Sequence, residues 1–118
     1  MKAAQIQEKG GDFILVEIDK PTPQENEVLI KVEACGICHS DAFVKDGTFP
    51  GIEYPRVPGH EVVGTVEKVG NNVSLLTEGQ RVGVGWHGGH CCIFEPCRRG
   101  IFITCENTKE TGASYYGG

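Results

Sequence analysis

Glycine constrains the fold of this chain more than any other residue. The 118-residue sequence contains 17 glycines, which recur every few positions from Gly36 onward and separate short apolar runs. They follow no collagen-like period and form no low-complexity tract. Glycines between short apolar segments mark turns and bends of strands, so the pattern predicts a mainly β domain of barrel-like character. The length is that of a single domain.

Apolar alternation predicts where the strands lie. Residues 2–7 and 12–18 are expected to form a hairpin with its turn at Gly10-Gly11. The clearest strand covers 28–34, where apolar residues occupy every second position. Further strands are predicted at 61–69, with a bend at Gly64, and at 80–86, with Val82, Val84 and Trp86 on one side.

The segments between these strands are more polar. Residues 35–46 predict a short helix that begins near Ser40 or Asp41. Residues 47–59, rich in proline and glycine, and the cysteine-rich segment 88–105 are interpreted as loops. The tail, 107–118, shows no regular pattern. Long loops in a compact domain tend to be functional, so the chemistry is expected in 35–61 and 86–105.

Charge and composition exclude several classes of partner. The net charge is −5 and the only adjacent basic pair is Arg98-Arg99, which argues against nucleic acid. No apolar run approaches the roughly 20 residues of a membrane span, and the N-terminus lacks a secretory signal. We therefore expect a cytoplasmic protein. In that reducing compartment the six cysteines indicate metal ligands or core thiols before disulfides.

Cys38 and His60 are the first candidate metal ligands. Cys38 follows one predicted strand and His60 precedes the next, and a carboxylate stands close to each in sequence. A thiolate and an imidazole are good zinc ligands, and a carboxylate can orient the imidazole through its other nitrogen. Spacing alone does not bring them together. Cys35 and Cys38 also spell Cys-x-x-Cys, so a redox pair is an open alternative.

Three motifs in order resemble one known family. CGICHSD at 35–41, PGHEVVGTVEKVG at 58–70 and GVGWHGGHC at 83–91 are similar to the zinc-containing alcohol dehydrogenases of the medium-chain dehydrogenase/reductase superfamily. The resemblance runs from Met1 to Gly118. It implies a GroES-like, partly open β-barrel with short helices, and an activity that oxidises primary alcohols or reduces aldehydes with zinc and NAD or NADP.

The resemblance also implies roles for individual residues. Cys38 and His60 would bind the catalytic zinc, with Glu61 beside the metal as an exchangeable ligand. The further expected roles are: Asp41, partner of His60; Ser40, acceptor of the substrate hydroxyl proton; His39, contact to the cofactor pyrophosphate; Phe49 and Trp86, walls of the substrate pocket. Local sequence leaves other interpretations open, in which Trp86 is a core residue, Phe49 a loop anchor, Asp41 a helix cap, and His87 and His90 loop residues.

The sequence departs from the family at both zinc sites. The family's third catalytic ligand, a cysteine, comes from beyond the end of this chain, so we expect weak or no zinc at Cys38 and His60 in the isolated chain. The structural zinc of the family uses Cys-x2-Cys-x2-Cys-x7-Cys. Here Cys91, Cys97 and Cys105 occupy three places and Phe94 the second, so we expect this zinc to be lost or weakened. Cys92, His90 and Glu95 are the candidate substitutes.

The cofactor domain and part of the proton relay are also missing. No strand, Gly-x-Gly-x-x-Gly turn and helix follow one another, so residues 1–118 are interpreted as one C-terminally truncated GroES-like catalytic domain without a Rossmann domain. Phe43 stands where many relatives carry a relay histidine. We expect the isolated chain to be inactive and to self-associate through exposed strand edges. The alternative is a non-enzymatic module that folds alone and binds metal or a partner.

Overall fold

The N-terminal segment folds as a two-stranded antiparallel hairpin. In this computed structural model, which describes residues 1–118, strands β1 (Lys2–Ile6) and β2 (Phe13–Glu17) pair with Ile6 opposite Phe13. Gly10 has φ +75° at the turn, a conformation that glycine adopts without steric cost. The predicted hairpin and its glycine turn are confirmed.

The central sheet has three antiparallel strands in the order β3 (Val28–Gly36), β4 (Glu61–Val69) and β5 (Arg81–Val84). Alternate residues of β4 face the core, where Val62 and Val66 are buried. Gly64 lies between them because a Cβ there would collide with the backbone oxygen of Lys31. The register shifts near this point, which fits the predicted bend. The strand predicted at 80–86 is shorter, since Trp86 lies beyond its end.

The loops contain more regular structure than the sequence predicts. The expected helix is α1 (His39–Lys45), but 88–105 is not all loop, because α2 (Glu95–Arg98) and a 3-10 turn (Phe102–Thr104) lie within it. Strand β6 (His87–Gly89) pairs with β7 (Lys109–Glu110). The prediction of an irregular tail is therefore wrong at 109–110. These strands are too short to show an apolar pattern. They form because they pair with each other, although Gly89 and its partner Lys109 are 20 residues apart.

The three sheets do not close on one another, so the predicted mainly β, partly open barrel with short helices is confirmed. Only 18 residues are buried, and the largest fully buried side chains are those of Ile6, Val44 and Val66. Large apolar side chains consequently remain in solvent, including Leu15 at 81% exposure and Leu75 at 91%. The helices have seven and four residues, and none could traverse a lipid bilayer.

One glycine spacing needs comment. Gly83, Gly85 and Gly88 match Gly-x-Gly-x-x-Gly, the spacing of dinucleotide-binding turns. Gly83 lies in strand β5, Gly85 in the connection after it and Gly88 in strand β6, so a strand and not a helix comes directly after the turn. A pyrophosphate site of that type requires a helix N-terminus directly after the turn. The spacing therefore reflects a connection between two strands.

Candidate metal centre

Asp41 fixes the segment that carries Cys38. Cys38 is the N-cap residue of α1, and its backbone N–H donates to Asp41 Oδ2 at 2.8 Å. A carboxylate in the first turn satisfies a backbone donor that the helix leaves free and interacts favourably with the positive helix end. Asp41 is buried, at 6% exposure. Asp41 therefore does act as a helix cap, as one interpretation of the sequence held, but only through its Oδ2 atom.

The second carboxylate oxygen reaches the segment that carries His60. The backbone N–H of Gly59 donates to Asp41 Oδ1 at 3.1 Å, and His60 Nδ1 lies 3.3 Å from the same oxygen. The imidazole faces the carboxylate off the line of a good hydrogen bond, so buried Nδ1 has no hydrogen-bond partner. Asp41 thus joins the start of α1 to the loop before β4. Cys38 and His60 are brought together by this link.

Gly59 determines where the imidazole lies, and sequence reasoning missed it. Its φ is +108°, and a Cβ would lie 2.8 Å from Cys35 Sγ. A side chain at this position would meet both backbone strain and a steric clash. The signal that could have identified Gly59 is its position directly before His60, a candidate ligand. Cys35 packs here as a half-buried thiol, and its Sγ hydrogen-bonds the Gly36 carbonyl oxygen, not Cys38.

Three potential ligand atoms converge next to this link. One ligand atom from each of Cys38, His60 and Glu61 lies within 4.8 Å of the other two. Ser40 Oγ sits against the first two, 3.2 Å from Cys38 Sγ and 3.3 Å from His60 Nε2. The Ser40 hydroxyl, and to a lesser degree His60, lowers the pKa of the Cys38 thiol. A thiolate, an imidazole and a carboxylate fit a zinc ion.

Aromatic rings line one side of the convergence point. Trp86 packs edge-on against the imidazole of His60 at 5.0 Å and against Phe49 at 5.3 Å, both between ring centroids. Phe49 continues into an open cavity of about 290 Å³ that Phe43 also lines. Exposed His39 packs edge-on against Phe43 at 5.2 Å. The converging ligand atoms thus lie beside an apolar wall, and the cavity along that wall is open to solvent.

A second cluster of thiols lies in the segment 91–105. Cys91 Sγ is 3.5 Å from Cys105 Sγ and 3.9 Å from Cys97 Sγ. Thiolates that share a tetrahedral zinc with 2.3 Å bonds would be about 3.8 Å apart. The backbone N–H groups of Phe94 and Ile93 lower the pKa of Cys91 to about 7, while burial raises the pKa of Cys97. The three cysteines therefore occupy three corners of a metal site.

The substitutes considered for the fourth corner lie elsewhere. None of the three belongs to the group of ligand atoms that converge with these cysteines. Cys92 is exposed, His90 Nδ1 is 3.0 Å from His87 Nε2, and Glu95 forms an ion pair with Arg99 at 2.7 Å. Phe94, at the family's second position, offers only carbon. Residues of this cluster do not supply the four ligands of a structural zinc.

Comparisons with known proteins agree with this architecture. Residues 24–118 match the family described as the alcohol dehydrogenase GroES-like domain. The chain is 42% identical over 117 residues to alcohol dehydrogenase patD of Penicillium expansum, covering 99% of this chain and 34% of that protein. The chain thus spans about a third of the length of the curated relatives it matches.

Solved structures extend the agreement to three dimensions. The cobalt- and zinc-bound thermostable alcohol dehydrogenase of Pyrobaculum aerophilum superposes with a TM-score of 0.91 at 31% identity, covering 100% of this chain and 36% of that one. CAD from Helicobacter pylori, complexed with NADP(H), gives a TM-score of 0.86 at 28% identity, covering 99% and 36%. By its sequence match and its fold, this chain belongs to the alcohol dehydrogenase GroES-like domain family.

Proposed function

We propose that this chain is the zinc-binding catalytic part of an alcohol dehydrogenase that oxidises a primary alcohol or reduces an aldehyde with NAD or NADP. The observation that carries the proposal is the convergence of Cys38, His60 and Glu61 beside an apolar wall. Zinc bound there would polarise the substrate oxygen, and the nicotinamide would accept or supply the hydride. The relatives named above support the reaction class, zinc as the metal and a nicotinamide as the cofactor.

The side chains around the convergence point have distinct proposed tasks. Ser40 Oγ lies within 3.3 Å of both main ligands, so it is the hydroxyl best situated to accept the substrate proton. Asp41 faces His60 Nδ1 at 3.3 Å and, by accepting from the Gly59 N–H, holds the loop from which the imidazole projects. Trp86 and Phe49 exclude water from the reacting atoms. For His39, the proposed contact to the cofactor pyrophosphate rests on the family resemblance and its exposure.

Metal binding by these 118 residues alone is proposed to be weak. A catalytic zinc normally has three protein ligands and one open position. Cys38 and His60 are strong ligands, whereas Glu61 is exposed and free to leave. The family's additional cysteine would have to come from outside this sequence. We therefore expect zinc to be held tightly only where that further ligand is provided.

The test is an activity measurement on the complete protein that contains this chain. Benzyl alcohol and ethanol would be assayed with NAD and NADP through the absorbance of the reduced nicotinamide. Cys38→Ser removes a proposed ligand and should lower kcat/KM by more than about 100-fold. Cys92→Ser, which changes an exposed cysteine outside the convergence point, should leave it unchanged. Equal activity of the two variants would refute the proposal.

The second candidate function is a non-enzymatic module that binds metal or a partner. Its support is the additional thiol cluster and the large exposed apolar side chains. The assay on the complete protein separates the two, since a module that only binds metal or a partner would give no turnover there. We expect no turnover from the 118-residue chain under either function, because a dinucleotide-binding strand, turn and helix are absent from its residues. Turnover by the isolated chain would show that it forms a cofactor site of another kind.

A further inference from the structure

Cys91, Cys97 and Cys105 make a metal site of unusual composition. Their Sγ atoms lie within 4.8 Å of one another, and the two shorter separations are 3.5 and 3.9 Å. Backbone N–H groups support the sulfur atoms: Ile93 donates to Cys91 Sγ at 3.3 Å and Asn107 to Cys105 Sγ at 3.4 Å. Such bonds stabilise thiolates, as they do around bound metals. The cluster is therefore organised as a ligand set.

No neighbouring side chain supplies a fourth ligand to this cluster. At the position two residues after Cys92, half-buried Phe94 supplies a phenyl ring. Cys92 itself has φ +60° and an exposed thiol that does not join the converging atoms. His90 stacks on Phe102 at 4.1 Å between ring centroids, so its ring is held elsewhere. A metal in the cluster would thus have three sulfur ligands and no fourth protein ligand.

Ligand number decides which metal such a cluster prefers. Structural zinc is almost always four-coordinate and tetrahedral, so three thiolates leave it incomplete. Soft thiolate ligands also select Cu(I), a monovalent ion that three sulfur atoms satisfy in a trigonal arrangement. We propose that Cys91, Cys97 and Cys105 form a three-thiolate site for a soft monovalent ion of the Cu(I) class, in preference to zinc.

The exposure of the three thiols fits binding of an ion from solution. Cys97 and Cys105 are buried, at 5% and 4% exposure, and form the floor of the site. Cys91 is half-buried and leaves an entry path. Binding displaces thiol protons to water and leaves the copper in its Cu(I) state, so no oxidant or reductant takes part. This site is separate from Cys38 and His60 and does not depend on the proposed dehydrogenase activity.

The experiment measures Cu(I) and zinc affinities of the reduced chain under anaerobic conditions. Bicinchoninate serves as the competing ligand for Cu(I) and a chromogenic chelator for zinc, in a Cys38→Ser background that removes the other metal centre. One Cu(I) should bind, and Cys97→Ser should weaken it by more than about 100-fold. Cys92→Ser, the adjacent cysteine outside the cluster, should change it by less than about threefold.

A gain-of-ligand variant protects the test against loss of folding. Phe94→Cys restores the four-cysteine spacing and should raise zinc affinity by more than about 100-fold over the parent chain. Zinc binding that is already tight in the parent and lost in Cys97→Ser would overturn the proposal. So would the absence of Cu(I) binding, or an equal loss of Cu(I) affinity in Cys92→Ser and Cys97→Ser.

Discussion

Replacing Asp41 by alanine should both destabilise the chain and weaken the metal centre. The change removes the acceptor for the Cys38 N–H, which is worth about 1 kcal/mol at a helix start. It also leaves the buried Gly59 N–H without a partner, at a cost of about 1–3 kcal/mol. Together the expected loss in the free energy of unfolding is about 2–4 kcal/mol.

The assay is urea denaturation of the metal-free 118-residue chain, followed by circular dichroism. Asp46→Ala is the matched control, because Asp46 is an exposed aspartate at the other end of the same helix and should stay within about 0.5 kcal/mol of the parent. Asp41→Asn keeps one acceptor oxygen, so it should lose less stability than Asp41→Ala.

A second measurement distinguishes the loss of the Asp41 link between α1 and the loop before β4 from a general loss of packing. The zinc affinity of the Cys38 and His60 centre in the complete protein should fall about 10- to 100-fold in Asp41→Ala, because the two segments that carry these ligands lose the carboxylate that joins them. An Asp41→Ala chain as stable as Asp46→Ala would refute the reasoning. It would mean that neither backbone N–H depends on the carboxylate.

Three further predictions concern the same region and the strand edges. The Ser40 hydroxyl lowers the pKa of Cys38, so Ser40→Ala should raise that pKa. Alkylation of Cys38 in the metal-free chain should then be slower at neutral pH, and the pH midpoint of the alkylation rate should move upward. Ser74→Ala, the control, should leave both the rate and the midpoint unchanged. Gly59→Ala should lower stability by about 1–3 kcal/mol in thermal unfolding, and more than Gly51→Ala, whose φ is +79° but whose Cβ would meet open space. Strand β5 has one unpaired edge, so light scattering should show a mass that rises with concentration; a constant monomer mass would contradict this.

Local pattern was sufficient for the long strands and insufficient for the short elements. The apolar pattern located β3 and β4 because each has nine residues, and in β4 alternate residues are buried. Strand β7 consists of Lys109 and Glu110, which carry no strand signal and form a strand only because β6 lies opposite. Helix α2 has four residues, fewer than any periodicity can reveal. Tertiary pairing decides such segments, and a single sequence does not encode it locally.

The candidate site divides in the same way. Residue type and family resemblance selected Cys38, His60 and Asp41 as candidates, and the structure brings them together. The helix-cap contact of Asp41 was an open interpretation from its residue type, but its second contact, to the Gly59 N–H, could not be predicted, since residue type does not reveal which distant backbone N–H a carboxylate meets. Cys92 illustrates the converse: its residue type suits a ligand, but the left-handed backbone turns its thiol into solvent.

The bridge that Asp41 makes between two backbone segments has a kinetic consequence. Both amide contacts are made by a carboxylate outside the set of metal ligands, so we expect folding to order the two ligand segments before an ion arrives. Capture of an ion should then be limited by diffusion and water exchange, with no slow rearrangement of the loop. Differences in affinity between metals should accordingly appear in their dissociation rates.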